Sequence, residues 1–498
     1  MTSIETSTAP QSQVFNRAGI WLPVVFTVTI FISASLLFFV QPLFAKLVLP
    51  HIGGAPAVWT TAMLFFQVVL LAGYVYAHLL SHYAPLRWQL PIHLCFWGTA
   101  LFFLPLSISA GWVYDPQAST TWQTLSLFAL GVGIPFGMLS ANAPLLQSWY
   151  AKSAGPSAHD PYFLYGSSNV GSLLALLAFP LVAEPLFGAS AIGTGWAILF
   201  VIFGGCLALS GLLAQFNPGT SGTNPEVQKT TTRVAPRQVA IWILLAFVPS
   251  SLMLAITTKV STDMGSLPLI WAIPLSLYIL SFVVTFTNRP WVPDRFLPQL
   301  AAGACALMAV LMSSFAKGLP TWGNALLFAP ALFVVAVHAH RTLYQNRPES
   351  AHLTLFYICM SVGGAMGGLF NSILAPSLFD SLHEGWLSVC AASAVALIGM
   401  QRPQLRPLAY GLILVGIALY GFGLLRDAGG TLLLLGAMAV FTLVASGLWR
   451  APLAVFVAVS AFLVTDTLSV REAYLFKDRS FFGAHTVYDK DGLRVYAN

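Results

Sequence analysis

Two stretches of this sequence gather side chains that can hold or move a solute. The first carries Asn142, Gln147, Tyr162, Tyr165, Ser167, Ser168 and Asn169; the second carries His338, His340, Arg341, His352, Tyr357, Ser361 and Asn371. Both interrupt long apolar runs. Amides, phenols and hydroxyls in such surroundings line a cavity or bond helix to helix, because polar groups left alone there are costly. Both readings stay open for each residue. Asn142, Gln147, Tyr162, Tyr165, Asn169, His338, Tyr357 and Ser361 are the candidate solute-binding set. Lys46, and Lys259 followed by Asp263, form a candidate gate or anion contact, although a lysine at a helix end is equally explained by reaching outward to water.

No other pattern points to catalysis, a metal or a cofactor. His338 and His340 are two apart, so on a helix they point about 200° away from one another. His78 and His82 have the i, i+4 spacing of a metal pair, but no acid or cysteine lies near them. The five cysteines, Cys95, Cys206, Cys305, Cys359 and Cys390, sit in apolar segments without a CxxC and read as small buried hydrophobes. Gly363, Gly364, Gly367 and Gly368 lie inside an apolar helix, where small residues admit a neighbouring helix rather than a phosphate. Gly131, Gly133 and Gly137 read the same way.

The elements that must position these groups follow from composition. Of 498 residues, 57% are hydrophobic and 8% charged. A soluble domain carries about 25% charged residues, so an ordinary soluble enzyme is excluded, and so is disorder. A spanning helix needs about 20 apolar residues, and fifteen such stretches are legible. They predict an all-α polytopic membrane protein: a polar segment 1–20, a first six-helix half 21–215, a linker 216–237, a second half 238–402, extra helices 403–468 and a polar tail 469–498. Residues 1–18 show no cleavable signal peptide, so the first helix is expected to direct insertion.

The charges orient this layout. Arg17, Arg87, Lys152, Lys229, Arg233, Arg237, Arg289, Arg295, Arg341, Arg347, Arg402, Arg406 and Arg450 fall on one side, and only Lys46, Lys259, Lys317 and Arg426 on the other. The positive-inside rule then predicts a cytoplasmic N-terminus in a bacterial inner membrane. The net charge of +6 is spent in short loops, so no nucleic acid is implied. The side of the tail depends on whether two of the last three helices merge.

The halves read as a repeat. Gly53–Trp59 (GGAPAVW) answers Gly265–Trp271 (GSLPLIW), Lys46 answers Lys259, and Tyr165–Gly171 answers Tyr357–Gly363. Two parallel six-helix units with a site between them is the major-facilitator-like plan.

Several blocks resemble a bacterial family of fused major-facilitator/spermidine-synthase proteins. They are 38–59 (FFVQPLFAKLVLPHIGGAPAVW), 143–185, 246–271 and 352–376. The tail 479–498 (RSFFGAHTVYDKDGLRVYAN) resembles the opening β-hairpin of that family's aminopropyltransferase-like domain. The resemblance implies a membrane transporter of a small polar solute, polyamine-related in its narrowest form. The alternative is a membrane anchor or docking platform for a spermidine-synthase-like domain or subunit. The catalytic acids and glycine loop of that domain are not among these residues, so aminopropyl transfer is not expected of this chain alone. One departure falls after helix ten, where Val337-His338-Ala339-His340 stands in place of a Cys-His-Gly-Glu run. None of the sixteen acids lies mid-span by these boundaries, which counts against a polyamine.

Overall fold

The computed structural model describes residues 18–109, 111–158, 161–219, 234–265, 268–286, 291–313, 316, 319–348, 353–398, 447, 450–469, 474–481, 483–490 and 493–497. The chain is an all-α polytopic membrane protein with a small terminal sheet. Among the described residues, eight helices are long and apolar enough to cross a membrane, and three more are apolar but shorter.

The first half contains α1 (Ala18–Ile52), α2 (Pro56–Tyr83), α3 (Leu86–Ala100), α4 (Thr120–Ala151), α5 (Tyr162–Ala178) and α6 (Ala189–Phe216). The second contains α7 (Pro236–Met264), α8 (Pro268–Thr285), α9 (Leu297–Met312), α10 (Thr321–Gln345), α11 (Leu353–Leu369) and α12 (His383–Ala394). One further helix, α13 (Pro452–Ser469), packs on α12 and α9. The stretches 406–425 and 431–449, read as extra helices, fall almost wholly outside the described residues.

Local chemistry sets these boundaries. Proline opens α2, α7 and α9 within the first two positions, where its missing N–H costs no hydrogen bond. Gly53 and Gly265 follow α1 and α7 with φ of +97° and +98°, a backbone state that only glycine adopts freely. They are repeat partners, and so are the segments beyond α5 and α11. Each of those helices runs into a π-turn, Phe179–Ala183 and Phe370–Leu374, and then a short helical stretch with proline near its start.

Packing repeats as well. α1 lies along α5, and α7 lies along α11. A Cβ on Gly171 would stand 2.6 Å from the Phe31 carbonyl oxygen, and one on Gly363 would stand 2.4 Å from that of Ile243. The glycines therefore let the same two backbones touch in each half. Between the halves, α2 packs on α11 and α5 on α8.

The chain ends in an antiparallel meander, β1 (Tyr474–Ser480), β2 (Gly483–Lys490) and β3 (Leu493–Ala497), in the order β1-β2-β3. The tail thus begins as a sheet five residues before the hairpin read from the sequence. It sits at the end of the bundle that holds the α1–α2 turn, opposite the start of α1. We call this the far end. Arg479 fixes it there, donating from Nη2 to Glu384 Oε1 at 2.7 Å and from Nη1 to Oε2 at 2.9 Å and to the Ser381 carbonyl at 2.8 Å.

Candidate solute cavity

Between the halves lies a cavity of about 190 Å³, walled by α1, α2, α4 and α5 on one side and α7, α8 and α11 on the other. Of the residues singled out from sequence, Gln147, Tyr165, Asn169, Tyr357 and Ser361 line it, with Ser168 beside them. The structure adds Gln41 and Gln67 as amides and Tyr74 and Tyr278 as phenols. Asp, Glu, Lys, Arg and His are absent from the described lining.

Each added residue has a local reason to point inward. Gln41 ends an apolar run on α1 and is 4% exposed, with its Oε1 enclosed and without a hydrogen-bond partner. Gln67 Nε2 donates to Ser250 Oγ across the halves at 3.0 Å, while Gly368 leaves room for its Oε1. The register of Gln41 with Leu37 and Ser33, four and eight residues earlier on the same face, is the signal that places it.

Paired aromatic residues stack across the halves at both ends of the cavity. One turn beyond Met63, Trp59 stacks on Trp271 with centroids 5.1 Å apart and planes 12° apart. Both rings are 1% exposed, and neither indole N–H has a partner. At the other end Tyr165 stacks on Tyr357 at 5.9 Å and 26°, and Phe286 leans on Tyr165 at 5.5 Å. Trp59 and Trp271 are repeat equivalents, and so are Tyr165 and Tyr357.

Other candidates lie elsewhere. Asn142 sits behind the wall, fully buried, with Nδ2 donating to Ser33 Oγ at 2.8 Å and Oδ1 accepting from His93 Nε2 at 2.7 Å. It reaches the cavity only through Ser33. His338 is on α10, away from the lining, and its Nε2 has no partner. His340 is buried on the same helix, stacked on Phe282 at 3.6 Å and bonded to Ser281 at 2.7 Å. The Tyr162 side chain lies outside the described residues. Lys46 pairs with Glu184 at 2.8 Å and Lys259 with Asp263 at 2.6 Å, so each lysine is held within its own half. The described residues include no cluster of three metal-ligating side chains.

At the far end a second cavity, about 290 Å³, is bounded by both halves and by the tail sheet. Thr60 and Trp122 come from the first half, Thr262 and Asn371 from the second, and Arg479 and Phe481 from the tail. At the near end, Arg341 on α10 holds Asp294 of the α8–α9 loop, through Nε at 2.8 Å and Nη2 at 3.0 Å. The guanidinium keeps the Asp294 carboxyl below its ordinary range against a smaller opposing effect of burial, and Gln345 adds a third donor at 3.0 Å.

No protein-family model matches this chain, and no curated protein sequence matches it. Among solved structures it is similar to a bacterial homologue of the human lysosomal transporter Spinster, in an inward-facing, unoccupied conformation. That match has 16% identity over 91% of this chain and 98% of the other, with a TM-score of 0.48. The nucleoside transporter NupG matches at 12% identity over 76% and 100%, TM-score 0.47. The partially occluded xylose transporter XylE from E. coli matches at 14% over 76% and 97%, TM-score 0.48.

Proposed function

We propose that this protein is a major-facilitator-type transporter, carrying a small polar solute across the membrane by alternating exposure of the central cavity. The observation that carries the reading is the pair of aromatic closures made by repeat-equivalent residues, one at each end of a cavity whose mostly apolar wall carries amides, hydroxyls and phenols. A machine whose halves rock about a central site needs a closure at each end that parts without breaking a half. Stacked rings serve this well. They exclude water when together and need only small rotations of the halves to separate.

In this reading the Trp59–Trp271 pair is the far gate and the Tyr165–Tyr357 pair the near gate. The unpartnered indole N–H groups of the closed far gate gain water when it opens. An enclosed donor without a partner costs about 1–3 kcal/mol, so the closed state is not over-stabilised. Lys46–Glu184 and Lys259–Asp263 then serve as charged rims of the far mouth. With the N-terminus cytoplasmic, as the basic loops suggest, the far end and the tail sheet face outward from the inner membrane.

The test is solute exchange in proteoliposomes with a cysteine-free background carrying Trp59→Cys and Trp271→Cys. Joining the two with a short thiol cross-linker should abolish exchange, and reductive release of a cleavable linker should restore it. Unchanged exchange with the far gate cross-linked would contradict the reading. The aminopropyltransferase platform, the other expectation from resemblance, has no residue in the described structure that favours it.

A further inference from the structure

Resting on the transporter reading, we infer that the central cavity takes an uncharged solute rich in O–H or N–H donors, of polyol or monosaccharide size, and excludes polyamines and organic anions.

Three observations converge on this. The first is the lining: its polar groups are amides from the first half and hydroxyls and phenols from both, set among apolar side chains, with no acid, base or histidine among its described residues. A charge brought into a closed cavity at membrane depth must find an opposite charge or lose its hydration uncompensated. Here it would find none. A polyamine would bring several charges at once, and tyrosine faces alone compensate each of them only weakly. Lys46 and Lys259, which follow the lining residues of α1 and α7, are already paired with Glu184 and Asp263.

The second observation is Gln41. Its Oε1 is enclosed, 96% of the residue's surface is covered, and no protein donor reaches it. Gln41 belongs to the cavity wall, so a turn of its amide brings this oxygen to a donor inside the cavity, and an uncharged hydroxyl or N–H is the donor that fits without stranding a charge. Gln147 and Asn169 line the same space and offer both donors and acceptors to the remaining groups of such a solute.

The third is size and shape. About 190 Å³ falls below the roughly 300–1,000 Å³ usual for drug-sized ligands, which leaves room for a solute of one small ring. Tyr74, Tyr165, Tyr278 and Tyr357 supply apolar faces against which the C–H face of such a ring can lie, with hydroxyls turned to the amides.

The experiment is counterflow into proteoliposomes with two labelled sets: glucose, xylose, xylitol and glycerol, and putrescine, spermidine, glutamate and succinate. At least one member of the first set should exchange ten-fold faster than any of the second. Gln41→Leu should cut that exchange at least ten-fold with an unchanged size-exclusion profile. Gln41→Glu, which places a carboxylate in the cavity, should admit putrescine as a competitor that the natural protein ignores. Exchange of a charged compound with none of the neutral set overturns the selectivity while leaving the transporter reading intact. Wild-type exchange by Gln41→Leu overturns the role of the amide. No exchange of either set overturns both readings.

Discussion

Asn142 shows how a polar residue at membrane depth earns two readings and needs the fold to choose. Its partners His93 and Ser33 are 49 and 109 residues away, on α3 and α1. Nothing in local spacing points to them. The amide fixes the His93 ring with Nε2 as the donor and orients the Ser33 hydroxyl, which is part of the cavity wall. Asn142→Ala should leave the buried His93 N–H without an acceptor and lower stability by about 1–3 kcal/mol. A drop in melting temperature in detergent, with the order of solute preference unchanged, is the expected outcome. A changed preference with unchanged melting would instead place Asn142 in direct contact with solute. By contrast Tyr165, Asn169, Tyr357 and Ser361 were legible as a lining, because the repeated Tyr-to-Gly segments put them in the first turns of α5 and α11.

At the scale of elements, the apolar helices were readable from length and hydropathy, while their tethers were not. The tail shows why. Alternation over Tyr474–Ser480 is weak because Lys477, Asp478 and Arg479 fall within a single strand, so β1 hid its strand character. Its attachment depends on an acid 95 residues earlier. Glu384 and Arg479 are 2% and 8% exposed, and removing one partner strands the other charge away from water. Such a loss costs about 3–5 kcal/mol. Glu384→Ala should therefore release the sheet, seen as rapid proteolysis between α13 and β1 while the helical core stays intact. Protection equal to that of the natural protein would show that the Lys477–Asp380 ion pair, Nζ to Oδ1 at 3.6 Å, and Phe481 suffice.

The near-end tether predicts a pH dependence. Asp294 has a folded pKa below its unfolded value, so it binds fewer protons in the folded protein. Its contribution is complete above the ordinary carboxylate range and is lost as pH falls through the lowered folded value. Stability should thus decline below about pH 4. In Asp294→Asn that part of the decline should be absent, because the amide has no proton to gain. Parallel melting curves for the two proteins from pH 6 to pH 3 would remove Asp294 from the acid response.

For the whole molecule, the repeat accounts for more than the helix count. Its counterparts meet in two stacked pairs, Trp59–Trp271 and Tyr165–Tyr357. Three short sequence matches suggest the repeat; that the counterparts touch was not legible, since it depends on which faces of α2, α5, α8 and α11 meet. The glycines offer a test across the halves. Gly171 and Gly363 each face a backbone carbonyl oxygen at under 3 Å from where a Cβ would stand, and backbone cannot swing aside as a side chain does. Alanine at either position should push α5 from α1, or α11 from α7, at a cost of about 1–3 kcal/mol. The two costs should agree closely, because the same backbone approach is made in both halves. Gly166, on the exposed face of α5 with open space around it, is the control. There alanine should be neutral or stabilising by up to about 1 kcal/mol, since it relieves the helix of glycine's extra freedom. Matched destabilisation by Gly171→Ala and Gly363→Ala, set against an unharmed Gly166→Ala, is the signature of two halves built on one plan. A large cost in one half alone would mean that the halves have diverged in how they close on their own first helix, and that one of them carries most of the movement.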